Sequence, residues 1–503
     1  MRVVRNMKFA FVVLAVAFAA ISCVKEKFVS DEERERVSLE AWIKINEPDL
    51  LENYQENGGY YVEIIDRADG EEAPTTENNF GSQPIMDQDT CWVYLNMTGR
   101  DINGAVCLTR DYKLAQMCGT FSYSTHYTPY VCYAGSVNMG LVEGSYLSMR
   151  NELKVGDGTY KLRKGSKVRL YLPSSIAYGK SGSMAEGGYE GQYALDASRP
   201  LIMDMEVMSV IKNPSELELE MLRHYVGADE SWILATKPES EKADANDDLS
   251  LKGLYYNLNF NPATENVNDY KYLQPDRMDV SPASEKLYQP YSDNKLYGEG
   301  KMAEVSQKIN EILLERFGEG LSEDKRTDAT QVTMNGRAKV WYVLRFLDGF
   351  VVDTNIAEIR ELVFGETAPE CEVFSYSPSD DEGKDPSIRQ AIGAWYYGIP
   401  KMHFGAYGQI LTTSGYAYGS SGMSGSTSTE TSSSTGSYYN SMDYYNYYNS
   451  YYNDYNSYYN YYDYYNYYNY DYTSEETTTK VTISTEILPY TPLIFTLYVE
   501  PYE

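Results

Sequence analysis

An α+β fold, duplicated into two strand-rich modules, is what this sequence predicts, and three observations carry that prediction. A phrase recurs about 240 residues apart: Ser175-Ile176-Ala177-Tyr178-Gly179 ahead of Pro200-Leu201-Ile202, and Gly415-Tyr416-Ala417-Tyr418-Gly419 ahead of Pro492-Leu493-Ile494. A specific turn paired twice with a specific strand points to duplication of a folded module, because short apolar runs alone recur by chance. Within the first copy, Val168, Leu170 and Leu172 alternate with Lys167, Arg169 and Tyr171, the period-two signature of a sheet with one buried face. Helical spacing appears only in segments that precede or interrupt the strands.

Taken in order, Arg2, Arg5 and Lys8 precede thirteen uncharged, mostly apolar positions from Phe9 to Ile21, which end at Ser22-Cys23. This run is short for a membrane span and reads as an export signal over 1–22. Small residues ahead of Cys23 resemble the lipobox of bacterial lipoproteins, without its usual leucine. The expectation is lipidation of Cys23 and a lipid-anchored protein of the cell envelope, on the periplasmic or surface face of an outer membrane. An ordinary cleaved signal would leave Cys23 a free thiol in the same compartment. Residues 23–58 are expected to form an anchor-side linker and a helix capped by Ser30, with Val37, Leu39, Trp42 and Ile43 at helical spacing.

The first module, 59–212, opens with a strand at Tyr60 to Ile65 and continues with Cys91 to Met97, Lys167 to Leu172 and Leu201 to Ile211. Pro214 to about Val226 reads as a helix, and the acidic stretch Glu239 to Asp248 as a linker, so that 213–248 separates the modules. The second module, 249–503, repeats the order with Gly253 to Tyr256, Lys339 to Leu347 and Pro492 to Val499. An amphipathic helix, Met302 to Phe317, interrupts it with Val305, Ile309, Ile312 and Leu313 on one face, as a packing helix would. Residues 420–479 hold a Gly/Ser/Thr run and then a Tyr/Asn/Asp tract with 19 of the 52 tyrosines and no Lys or Arg. A segment with neither period nor aliphatic residues is expected to be a disordered insertion.

Composition narrows the chemistry. A formal net charge of -30 excludes nucleic acid as a partner, since phosphate backbones are bound by concentrated Lys and Arg. His126, His224 and His403 are the only histidines, which argues against histidine-centred nucleophilic catalysis and multi-histidine metal sites. Cys91, Cys107, Cys118 and Cys132 fall within 42 residues without a CxxC pair. Two disulfides or buried apolar thiols both fit them.

The second module carries a longer pattern: Val340-Trp341-Tyr342 to Asp348-Gly349, Val352-Asp353, Ile392, Trp395 to Gly405, Tyr416-Ala417-Tyr418-Gly419, and Ile487-Leu488-Pro489 to Phe495. It resembles the FKBP family of peptidyl-prolyl cis-trans isomerases. The resemblance implies two FKBP-like domains, each an antiparallel sheet wrapped around a short helix with a pocket between them. It implies that Tyr342, Trp395 and Phe495 form the aromatic walls and floor of a proline pocket with Ile487 on its rim. By the same resemblance, the Ile392 backbone NH meets the substrate, the Tyr418 phenol holds a substrate carbonyl, and the Asp353 carboxylate faces the pocket. Val352 stands where an aromatic is common, and Tyr342-Val343-Leu344 replaces the usual Tyr-Thr-Gly.

The first module departs further: Met97 takes the place of Tyr342, Cys107-Leu108 that of Val352-Asp353, Leu141 that of Trp395 and Met203 that of Phe495. Tyr178 alone keeps the polar set, so this domain is expected to be a degenerate scaffold. The implied activity is prolyl isomerisation by the second domain during folding of exported proteins, acting on their proline-containing segments with no cofactor and no metal. The alternative is a non-catalytic binding, chaperone or surface lipoprotein in which both modules are scaffolds.

Overall fold

The computed structural model describes residues 30–70, 73–136, 141–183, 195–242, 244, 248–265, 270, 271, 273, 301–334, 336–365, 374–376, 392–433 and 477–502. The leader expected over 1–22, and Cys23, lie outside the described residues. None of the described helices is long and apolar enough to cross a membrane.

The chain opens with α1 (Asp31–Asn46), capped by the Ser30 side chain, which accepts from the Glu33 amide at 3.2 Å. The first sheet comprises β1 (Tyr54–Gln55), β2 (Tyr60–Asp66), β3 (Trp92–Arg100) and β4 (Val106–Thr109), then, after α2 (Tyr112–Cys118), β5 (Tyr130–Tyr133). The short helix α3 (Glu143–Arg150) and the ribbon β6 (Leu153–Val155) and β7 (Gly158–Tyr160) precede β8 (Lys167–Leu172) and β9 (Leu201–Ile211). Strand order is β1-β2-β8-β9-β3-β4, with β5 also paired to β3 and every pairing antiparallel.

Helix α4 (Pro214–Val226) leads to β10 (Ile233–Thr236), β11 (Ser250–Asn257), α5 (Lys301–Phe317), β12 (Ala338–Phe346), β13 (Val351–Thr354) and α6 (Ala357–Phe364). Then come β14 (Phe374–Tyr376), α7 (Gly393–Gly398), β15 (Tyr407–Thr412), β16 (Ser426–Ser433), β17 (Thr477–Ser484) and β18 (Leu493–Pro501). The order β10-β11-β15-β18-β12-β13, with β14 also on β12, reproduces the first sheet strand for strand. Both modules are thus α+β, each an antiparallel sheet lying against its own short helix, α3 or α7.

Helix α7 lies close on the sheet because Gly398 has no side chain: a Cβ there would come within 2.3 Å of the Ile410 Cδ1 on β15. The two faces of β12 then bury different partners. Val340, Leu344 and Phe346 join the core on the α7 side, whereas Trp341 and Val343 pack with Val305, Ile309 and Leu313 of α5. The first sheet is covered differently, by Leu39 and Ile43 of α1 over Tyr61, Tyr171 and Ile202. Its outer face carries a cross-strand ladder in which Asp204 takes Arg100 and Arg169, the latter at 2.6 Å, and Lys167 pairs Glu206 at 2.9 Å. With α5 covering β12, and α1 lying over β2, β8 and β9 rather than over β3, β3 alternates strictly while β12 is buried almost throughout.

One expectation changes, and one alternative is decided. The insertion expected to be disordered over 420–479 begins and ends in regular structure: β16 and β17 form an antiparallel ladder from Ser426↔Ser484 to Ser433↔Thr477. Their Thr-rich ends are good strand formers that the bias of the whole tract obscured. Residues 434–476, with the tyrosine-rich part, lie outside the described residues. The four described cysteines are free; Cys91 and Cys132 are buried in the first core, where burial pushes their thiols up to about 11 and about 12, and Cys118 is exposed.

The modules touch through residues 119–129, which leave the first sheet between α2 and β5 and run along the second module. The Glu486 amide donates to the Ser124 carbonyl at 2.7 Å, and Arg110 pairs the Glu486 carboxylate at 2.7 Å. The His126 ring stacks on Phe346 at 4.3 Å with its Nε2 3.0 Å from the Asp348 carboxylate.

Candidate active site

The aromatic wall is set by strand register. Tyr342 pairs with Leu497 and Leu344 with Phe495 across β12 and β18, so Tyr342 and Phe495 share one face of adjacent strands, two positions apart. Trp395, the third residue of α7, stands edge-on between them, 5.4 Å from Tyr342 at 71° and 5.7 Å from Phe495 at 77°. Such geometry sets the positive ring edge against a negative ring face. Phe495 and Trp395 are buried and Tyr342 is half-buried.

The polar half of the site is built on β13 and α6. The Tyr342 hydroxyl donates to Asp353 Oδ2 at 2.6 Å, and Arg360 of α6 reaches Asp353 Oδ1 at 2.6 Å. Arg360 also donates to the carbonyls of Thr354 at 2.9 Å and Ile483 at 3.0 Å, joining β13 to the end of β17. Burial first, and then the Asp353 charge and hydrogen bond, push the Tyr342 phenol far above the ordinary tyrosine range. Tyr418 is raised in the same direction by burial and then by the Asp353 charge. Both phenols are therefore neutral hydrogen-bond donors at physiological pH.

The other expected residues fall around this cluster. Ile392 is the N-cap of α7, its carbonyl accepting from the Trp395 and Tyr396 amides at 3.0 and 3.1 Å. Ile487 is buried and exchanges main-chain bonds of 2.8 and 2.7 Å with Met423, so the rim is tied to the base of the insertion. Val352 is fully buried among the aromatics.

In the first module, register puts Met97 opposite Met205, Gly99 opposite Met203, and Gly99 opposite Leu108, matching Tyr342, Phe495 and Asp353 in turn. Counted from the helix cap, however, Ser145 rather than Leu141 takes the place of Trp395, because α3 begins only after Val142. The first site thus has Met97, Leu108, Ser145 and Met203 where the second has three aromatics and a carboxylate. Met97 and Met203 belong to the first module's core, with Leu108 and the half-buried Tyr178 packed against it.

Arg360 was missed by reading the sequence, as was a second feature: each module's turn is clamped by a buried glutamate from the preceding helix. Glu218 Oε1 accepts the Ser414 amide at 2.7 Å and Oε2 the Ser414 hydroxyl at 2.7 Å; Glu35 holds Ser174 in the same two-fold way, with the amide bond at 2.6 Å. Burial pushes Glu218 up to about 7 against the lowering effect of the two Ser414 bonds. A signal was present. Glu35 lies one turn before Leu39 and two before Ile43, and Glu218 one turn before Leu222, so each carboxylate sits on an apolar stripe. Among the described residues no cluster of His, Cys, Asp and Glu could hold a metal ion.

No family model and no curated protein matches the chain. Among solved structures it is similar to the three FKBP domains of wheat FKBP73, at 11% identity over 89% of this chain and 96% of that one, with a TM-score of 0.19. It is also similar to FkpA from Escherichia coli, at 19% identity over 41% of this chain and 71% of that one, with a TM-score of 0.21. A third is a peptidyl-prolyl cis-trans isomerase from Pseudomonas syringae pv. tomato, at 18% identity over 34% of this chain and 96% of that one, TM-score 0.19.

Proposed function

We propose that the second module is a peptidyl-prolyl cis-trans isomerase acting on proline-containing segments of exported proteins, in a chain held at the membrane by a lipid on Cys23. The observation that carries the reading is the joined cluster of Tyr342, Trp395 and Phe495 with the Asp353 carboxylate, which Tyr342 and Arg360 hold. Rotation about an X-Pro bond meets a barrier of about 18–20 kcal/mol and needs neither nucleophile nor cofactor. The planar imide is the more charge-separated form, so an aromatic, water-poor wall disfavours it and accommodates the twisted form better. Each 1.36 kcal/mol gained this way is about a tenfold acceleration.

In this reading Tyr418 donates to the substrate carbonyl and holds the segment in register, while the Ile392 amide N–H donates to the substrate on the other side. Arg360 offsets the Asp353 charge, so the carboxylate orders the Tyr342 ring without making the pocket anionic. The first module, lacking the aromatics and the carboxylate, is a binding scaffold.

The test is cis/trans exchange on a proline-containing peptide, followed by magnetization-transfer NMR, with the whole chain from residue 23. A fragment from 246 onward would omit α4 and the contacts of 119–129. Wild type is expected to accelerate exchange, and Tyr418→Phe and Phe495→Ala to lower the acceleration about tenfold or more. A folded wild-type chain without acceleration would turn the reading to a peptide-binding scaffold.

A further inference from the structure

We infer that Glu218, which lies outside the second sheet on the preceding helix, is a positioning residue for Tyr418. The inference rests on the isomerase reading for its consequence and on the turn itself for its geometry.

Tyr418 stands between two amides that end on one atom: Ala417 N and Gly419 N both donate to the Ser414 carbonyl at 2.8 Å. Gly419 adopts φ 65, a left-handed conformation that only glycine takes without cost, and this closes the turn behind the tyrosine. The direction of the phenol is therefore set by where Ser414 sits. Ser414 begins a single 3-10 turn, Ser414–Tyr416, and no side chain within the turn caps it. Its amide, at a residue only 3% exposed, would be left without an acceptor but for Glu218.

Glu218 is 2% exposed, and its two oxygens are spent on the Ser414 amide and hydroxyl rather than on a cation. Burying a carboxylate so is costly, and a helix with polar residues to spare has no local reason to do it. The clamp also occurs twice. In the first module Glu35 takes the Ser174 amide and hydroxyl, and Ala177 N and Gly179 N end on the Ser174 carbonyl at 2.9 and 2.7 Å. Ala177 and Ala417 share a backbone conformation, φ -118 and ψ -113 against φ -130 and ψ -104. The duplicated unit is thus a helix together with its sheet, and the helix glutamate aims the turn from outside.

The test uses the chain from residue 23 with two readouts: kcat and KM for isomerisation, and hydrogen exchange at the Ala417 and Gly419 amides. Glu218→Ala is expected to speed exchange at both amides about tenfold and to lower kcat by a similar factor, since small misplacements of a positioned group are costly in rate. Glu218→Gln keeps an oxygen for the Ser414 amide and offers its NH2 to the hydroxyl, and is expected to restore kcat to within about threefold of wild type. A folded Glu218→Ala chain with unchanged exchange and unchanged kcat overturns the inference. If that variant does not fold, Glu218→Asp decides: the clamp shortened by one methylene must loosen both amides, and wild-type protection there refutes it. Should wild type itself show no isomerisation, the functional reading fails while the amide exchange still decides the clamp.

Discussion

Glu218 has an energetic consequence apart from catalysis. Its value of about 7 in the folded chain lies above the 4.5 of an exposed glutamate, so the folded chain binds this proton more tightly than the unfolded chain. The stability it contributes is full below about pH 4.5 and is lost as the pH rises through 7, by up to about 3 kcal/mol. Glu218→Gln removes that dependence. Urea denaturation at about pH 4.5 and about pH 8 is expected to show a smaller loss for the variant than for wild type, by roughly 2–3 kcal/mol; equal losses would place the buried charge elsewhere. At the same scale, the aromatic set was legible in the sequence and its partner was not. Tyr342 and Asp353 belong to a recognisable pattern, whereas Arg360 is an unremarkable basic residue until α6 turns it back onto β13.

Among the elements, α5 shows how an insertion changes what a strand must be. Its apolar stripe at Val305, Ile309 and Leu313 was evident from spacing, and a packing role followed from it. What it packs against is the outer face of the second sheet, where Trp341 and Val343 take the places that Asn96 and Thr98 leave open in the first. Ile309 is fully buried there, so Ile309→Ala is expected to cost about 3 kcal/mol in the same urea titration, through lost burial and the cavity left behind. A change below about 0.5 kcal/mol would mean that α5 is not held against the sheet in solution. The seven strands that sequence reading placed were legible because alternation and apolar runs are local properties; the ladder of β16 and β17 was not, because composition over the whole tract outweighed its two Thr-rich ends.

For the whole molecule, the first module braces the second. Arg110 and Glu486, with side chains 7% and 17% exposed, pair across the contact next to the Ser124–Glu486 main-chain bond and one residue from Ile487 on the rim. Removing one member of a buried pair leaves the other charged and poorly solvated. Arg110→Ala is expected to destabilise the chain by about 3 kcal/mol, and the double-mutant cycle with Glu486→Ala to return a coupling of at least about 1 kcal/mol. Coupling near zero would show that the modules move independently.

Through its family resemblance the sequence pointed to the aromatic set of the second site; by itself it determined the duplication, seven of the described strands, and helices α4 and α5 to within a few residues. These depend on spacing along the chain, on turn chemistry at Ala-Tyr-Gly, and on apolar period, all of which neighbours in sequence express. Only the tertiary structure decided that Ser145 stands in the place of Trp395, that Arg360 completes the Asp353 pair, and that Glu218 and the 119–129 segment bear on the second site. The Glu218 and 119–129 contacts join residues far apart, 196 positions for Glu218 and Ser414 and 362 for Tyr123 and Thr485. Side chains that meet only after both sheets have closed leave no periodic trace in the chain, because nothing local requires them to be what they are.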